Sequence, residues 1–331
     1  MIRVATALVV VIAAGCSGCR DGTPGAEAGI DARREGPGRP DASVDLRADL
    51  DTRCGGRRVL TPEPVTRTGG EACGTNCRQI TFGPYVSLRY EVQGDLLVYS
   101  EESMGTEEKV YMVDLARDEE WLIRRPHFRD RPGCFWVSTD GKRLAYDCLI
   151  SPAPGQYTDA LQLYDPATHE ERDLECLPLV VDKSSAAQYV TLGSTGVAMQ
   201  GSTTSIGPEA WFHRFSDGAF VKLSTVAAYF THMSGSRLVW TEVVKVQDKN
   251  VTQILLQDTA TGTHAVIDPQ PWSRWLPRID GDRVVWVDHG AAPGNMYSQG
   301  NSDIYLHDLG SGKTTPVVTN PARQDFPDAG C

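Results

Sequence analysis

The chain has 331 residues, with 32 lysines and arginines against 43 aspartates and glutamates, a formal net charge of −11. That balance argues against a phosphate backbone as partner, because nucleic-acid affinity rests on neutralising phosphates with basic side chains. A hydrophobic fraction of 40% and nine cysteines fit one sizeable globular body in an oxidising compartment.

The first stretch, 1–15, has Arg3, an apolar run over 4–12, and then Ala13, Ala14 and Gly15 before Cys16. The run is too short for a permanent membrane-spanning helix and has the layout of a secretory signal. Small residues directly before Cys16 resemble a bacterial lipoprotein lipobox, which implies that Cys16 becomes the lipidated first residue; Cys19 is a nearby competitor and an ordinary cleaved signal is the alternative. Ser17 after it favours sorting to the outer membrane over inner-membrane retention. The next stretch, 16–52, is Gly, Ala, Asp, Arg and Pro with almost no large apolar residue. It cannot bury enough surface to offset the entropy of ordering, so a disordered tether is expected. Its charges alternate in sign, unlike a basic nucleic-acid arm.

Short strands are expected over 57–60 and 78–82. Beyond them, a unit recurs. Gly94, Gly141, Gly235 and Gly281 each open a β-branched or aromatic run, and the fifth residue after each is Tyr99, Tyr146, Trp240 and Trp286. A degenerate copy opens at Ser194 and puts Met199 in the aromatic slot. The units follow one another at 41 to 53 residues, room for four short strands each. The last is the clearest: strands are expected over 275–279, 283–287, 303–308 and 315–318, with the Gly310–Ser311–Gly312 turn between the final two. The third strand of a unit ends on Asp114, Asp165, Asp258 or Asp308, and Arg214 stands there in the weak copy. Repetition in every unit favours turn capping over catalysis for these carboxylates, since an active site would use one set.

The spacing describes a β-propeller blade. The stretches 277–286 (Pro277, Ile279, Gly281, Val284, Trp286) and 303–309 (Asp303, Ile304, Tyr305, Asp308, Leu309) resemble the blade opening and third strand of the TolB-like propeller family. The resemblance runs from about Arg78 to the C-terminus and is eroded over 188–224. It implies an all-β fold: five full four-stranded blades over 53–331, with a composite sixth made from 78–81 and 324–331, or a ring of five if that piece is too small. Members of the family bind proteins, peptides or sugars, or serve as domains of larger enzymes, so the fold alone does not choose a function.

Cys134 and Cys148 lie seven residues either side of Gly141, which sets them opposite one another in an antiparallel pair; this disulfide is favoured over Cys148–Cys176. Cys331 is expected to bridge Cys54, Cys73 or Cys77, with the connectivity open. Cys73 and Cys77 lack a second pair or a nearby histidine, so a disulfide is favoured there over zinc, and no metal or cofactor is expected.

Residues 310–314 resemble the end of a phosphate-binding loop, but His307 stands where the earlier glycine belongs and no helix pattern follows. No nucleophile elbow and no metalloprotease histidine pair occurs. Trp240 and Trp286, fixed in the repeat, read as packing between blades. The candidates for a ligand face are Trp272, Arg274 and Trp275 at a channel mouth, His232 on an inner strand, and His289 and Asn295 in the long polar loop 289–301. The expectation is a monomeric, lipid-anchored envelope propeller that binds a protein, peptide or glycan without catalysis. The competing expectation is a polysaccharide lyase or hydrolase with its site at the channel mouth.

Overall fold

The computed structural model describes residues 56–66, 87–102, 108–124, 134–153, 156–177, 188–201, 208–246, 248–290 and 302–319. These residues belong to one compact unit, Arg53–Thr66 with Tyr85–Cys331. Two short strands come first, β1 (Arg57–Val59) and β2 (Glu63–Pro64). Among the described residues, five antiparallel blades follow in chain order. The first comprises β3 (Ser87–Gln93), β4 (Leu96–Glu102), β5 (Glu108–Asp114) and β6 (Glu119–Arg124). The second comprises β7 (Cys134–Thr139), β8 (Leu144–Ala153), β9 (Gln156–Asp165) and β10 (Glu170–Leu177). The third comprises β11 (Gln188–Leu192), β12 (Gly196–Gly201), β13 (Glu209–Arg214) and β14 (Phe220–Lys222). The fourth comprises β15 (Ala228–Ser234), β16 (Arg237–Val246), β17 (Lys249–Asp258) and β18 (His264–Val266). The fifth comprises β19 (Arg274–Asp280), β20 (Arg283–Asp288), β21 (Asp303–Asp308) and β22 (Lys313–Val318).

This is a β-propeller, and the repeat read from the sequence is its blade. The eroded copy at 188–224 forms a regular four-stranded sheet all the same. From the second blade to the fifth, the slot five residues after the turn position packs each blade on the one before it. Tyr146 joins Val98, Val110 and Met112 of the first blade, and Trp240 joins Ala198, Ala210 and Phe212 of the third. Trp286 joins Val239 and Ile254 of the fourth, and is fully buried. Truncating such a ring to alanine costs about 3–5 kcal/mol in a core of this kind. The turn aspartates do what their repetition suggests. Asp114 accepts N–H bonds from Ala116 and Arg117, Asp165 from Ala167, Asp258 from Ala260 and Asp308 from Ser311, at 2.7–3.0 Å. Cys134 and Cys148 face each other across β7 and β8 and are joined by a disulfide.

The short strand expected at 57–60 forms over Arg57–Val59. β1 pairs with β10 as a fifth, outermost strand of the second blade, and β2 pairs with β6 as a fifth strand of the first. One short segment thus covers the outer edges of two neighbouring sheets, which would otherwise present unpaired backbone groups. The pieces assigned to a composite sixth blade, 78–81 and 324–331, lie outside the described residues. So do the signal and tether at 1–52 and Cys16, Cys19, Cys54, Cys73, Cys77 and Cys331.

Candidate functional site

The first strand of each blade, β3, β7, β11, β15 and β19, carries the site. Counting back from the turn glycine (Ser194 in the third blade), the third residue is Glu91, Ser138, Thr191, His232 and Arg278 in turn. Four of these side chains perform one task. Each accepts the backbone N–H of the next residue position in the following blade: Glu91 from Thr139 at 3.3 Å, Ser138 from Leu192 at 2.7 Å, Thr191 from Met233 at 2.7 Å, and His232 from Ile279 at 3.2 Å. Those N–H groups have no strand partner on that side, and a buried orphan donor is costly, so a side-chain acceptor is needed at each junction. Arg278, a donor only, breaks the series in the fifth blade.

The same row brings three ionisable groups together from separate blades. His232 Nε2 stands 4.0 Å from Glu91 Oε1, and both side chains are 17% exposed. Because His232 Nδ1 accepts a backbone N–H, its proton sits on Nε2, directed at that carboxylate. Burial, and then the nearby Arg278 guanidinium, push the His232 pKa well below the ordinary imidazole value, so the ring is neutral at pH 7.

Two residues earlier lies a second row: Trp136, Tyr189, Phe230 and Leu276. All four have positive φ, between 49° and 58°, where bulky side chains are strained. Each marks a shift of register in its inner strand, whereas β3 pairs without a break. The bulge turns the side chains so that rings of adjacent blades touch: Trp136 and Tyr189 at 4.2 Å between centroids, Tyr189 and Phe230 at 4.8 Å, Phe230 and Trp275 at 5.6 Å. The inner strands therefore carry a polar row beneath the turns and an aromatic row beyond it. On the turn side opens a cleft of 810 Å³ bordered by Gln93, Lys142, Arg143, Asp165, Ser194 and Gly235. Gly141 (φ 81°) lies between Asp140 and Lys142, both of which border the cleft, and an added Cβ there would meet the carbonyl of Gln93 at 3.0 Å.

The candidates read from sequence separate. His232 borders the central row. Arg274 does not line a mouth: it is 2% exposed, ion-paired with Asp288 at 3.0 Å and Asp268 at 3.1 Å, and lies over the Trp286 ring at 4.9 Å. Trp275 is 5% exposed, wedged edge-on against Tyr229 and Phe230. Trp272 is half-buried in a loop pinned by Gln253, whose Nε2 donates to the carbonyls of Gln270 and Trp272 at 2.8 and 3.0 Å. His289 is half-buried and its N–H donates to the Ser273 carbonyl at 3.2 Å; Asn295 lies outside the described residues. Trp275 lies inward because its ring gains by leaving water, and Arg274 is tolerated beside it because Asp268 and Asp288 pair its charge. Sequence reading missed Glu91, Arg278 and the ring row. Counting three and five places back from each turn glycine would have found them. Among the described residues no group of three histidine, cysteine or acidic side chains is placed to hold a metal.

Fold and site together define an all-β propeller with an interlocked inner row and a cleft on its turn side. Solved structures similar to it include TolB from Acinetobacter baumannii, at 13% identity and a TM-score of 0.44, over 69% of this chain and 53% of that chain. They also include an acylaminoacyl peptidase in complex with a peptide chloromethyl ketone, at 13% identity and a TM-score of 0.50, over 73% and 40%. A third is an oligogalacturonate lyase in complex with manganese, at 14% identity and a TM-score of 0.47, over 82% and 76%. The chain thus spans about half the length of the TolB structure. Identities this low speak to fold alone. No protein-family model matches the chain, and no curated protein matches it in sequence.

Proposed function

We propose that the chain is a non-catalytic binding scaffold of the cell envelope, held to the outer membrane by lipid on Cys16, that takes a protein, peptide or glycan at a face built from its loops. The observation that supports it best is the use made of its candidate chemical groups. Arg274 is enclosed between Asp268 and Asp288, and His232 is held as an acceptor by the Ile279 amide. Both maintain contacts within the ring, where a reacting base or electrophile needs freedom to meet substrate. The signal-like start, Cys16 and the polar stretch after it support the anchor.

The second reading is a lyase or hydrolase acting at the channel. What favours it is the approach of Glu91 and Arg278, from two other blades, to His232. One experiment separates the two. The full chain is expressed with its own leader, purified from membranes, and used both to capture envelope partners and to turn over a panel of polysaccharides and peptides. A scaffold gives a reproducible partner and no turnover. Turnover that disappears in Glu91→Gln establishes the enzyme instead. Cys16→Ser is expected to release the protein from the outer-membrane fraction; its retention there would remove the lipid anchor from the proposal.

A further inference from the structure

Of the four inner-row acceptors, Ser138 and Thr191 do not titrate near neutral pH, Glu91 remains an acceptor when ionised, and His232 alone turns from acceptor to donor when it takes up a proton. We infer that His232 is a proton-sensitive joint between the fourth and fifth blades. Neutral, its Nδ1 receives the Ile279 N–H and locks β15 to β19. Protonated, Nδ1 carries hydrogen and confronts that N–H donor to donor, so the bond is lost and the two strands are pushed apart locally. The proton comes from solvent and stays on the imidazole; no other bond changes.

The groups around the ring set the direction. From β3, Glu91 approaches Nε2 at 4.0 Å, too far for a hydrogen bond, with its other oxygen engaged by the Thr139 amide. From β19, Arg278 opposes a second positive charge. From β11, Thr191 brings an uncharged hydroxyl to the neighbouring Met233 amide. Burial and Arg278 together hold the closed ring neutral against the pull of Glu91, so acid acts by protonating the imidazole where the joint has opened, which draws the equilibrium toward the open form. A second link between these blades, Gly281 N–H to Ser234 Oγ at 3.0 Å, does not titrate, so the joint loosens rather than parts. Arg237 also bridges to Asp282 at the exposed turn. A proton-sensitive joint beside the turn-side cleft would let the pH of the compartment alter the rim near Gly235, which borders that cleft.

Hydrogen–deuterium exchange tests this on the full-length protein, at pH 7 and pH 5, with rates corrected for intrinsic pH dependence. The peptide covering 274–280 is expected to lose protection by about tenfold at pH 5, the scale of one hydrogen bond. The peptide covering 188–192, whose link runs through a hydroxyl, is expected to hold its protection. His232→Asn keeps an acceptor at the Nδ1 position and cannot protonate, so its 274–280 protection is expected to be the same at both pH values. Unchanged protection in the wild type, or an equal loss in His232→Asn, overturns the inference. Should that variant fail to fold, imidazole nitrogen shifts of the wild type decide: a neutral Nε2–H tautomer at pH 7 supports it, and an Nδ1–H tautomer or a charged ring at pH 7 overturns it.

Discussion

Arg58 and Glu171 form an ion pair that fastens the N-terminal strand β1 to the outer edge of the second blade. Glu171 is fully buried, receives the hydroxyl of Tyr146, and has Arg124 of the first blade 3.6 Å away. The same Arg58 also reaches Asp173 at 3.0 Å. A related pair, Tyr99 with Glu120, occupies the first blade, the other sheet that receives an added strand. Tyrosine stands five places after the turn glycine in these two blades, and methionine or tryptophan in the three that, among the described residues, have four strands.

Removing Arg58 should therefore release β1 while leaving the blades folded. Arg58→Ala is expected to cost about 1–3 kcal/mol, because Arg124 and Tyr146 still engage the buried carboxylate. Urea unfolding measures the loss, and faster exchange confined to 57–59 and 170–172 locates it. Exchange that rises equally across all five blades would show that the strand is integral to the ring instead.

Arg274 gives the opposite kind of result. Arg274→Met should destabilise by about 3–5 kcal/mol, since it leaves the buried Asp288 carboxylate without its cation. Asp288 is 5% exposed, so water cannot replace the lost partner. A denaturation midpoint that falls while binding by the folded fraction is unchanged fits a structural arginine. Binding lost at unchanged stability would return Arg274 to the ligand face.

Gly196 opens the third blade's second strand where the other blades carry larger residues. A Cβ there would stand 2.2 Å from the His213 carbonyl oxygen and 2.4 Å from the Phe212 ring. Gly196→Ala should cost about 1–3 kcal/mol through overpacking, read as a lowered thermal midpoint. An unshifted midpoint would mean that β12 and β13 can separate at no cost.

The turn carboxylates make a prediction about acid. N–H bonds, from Ala260 to Asp258 and from Ser311 to Asp308 foremost, hold both groups below the ordinary carboxylate pKa. A depressed folded-state pKa contributes stability above the unfolded value, and that contribution is lost as pH falls through the folded one. The double variant Asp258→Asn, Asp308→Asn keeps an acceptor without a charge. Below about pH 4 its stability should fall less steeply than that of the parent, as followed by thermal midpoints across pH. Parallel curves would remove these two turns as a source of acid sensitivity.

The chain's own order determined the blade. The positions of Gly281, Trp286 and Asp308 recur in register in earlier copies because each repeat obeys the same local rules: a tight turn, period-two strands and a capped turn. The disulfide between Cys134 and Cys148 followed from the same logic, as both flank one turn. What the sequence alone did not determine is where side chains from different blades meet. Glu91 and His232 are far apart in the chain, and nothing local marks them as neighbours; only the circular packing of inner strands sets them 4.0 Å apart. Arg274 and Trp275 looked like a rim from their loop, yet burial between sheets claimed them. Arg57–Val59 declared itself a strand, but its partner was a matter of which sheet edge lay open. Periodicity is written into neighbouring residues and can be read along the chain, whereas contacts between sheets depend on the three-dimensional path that brings distant repeats together.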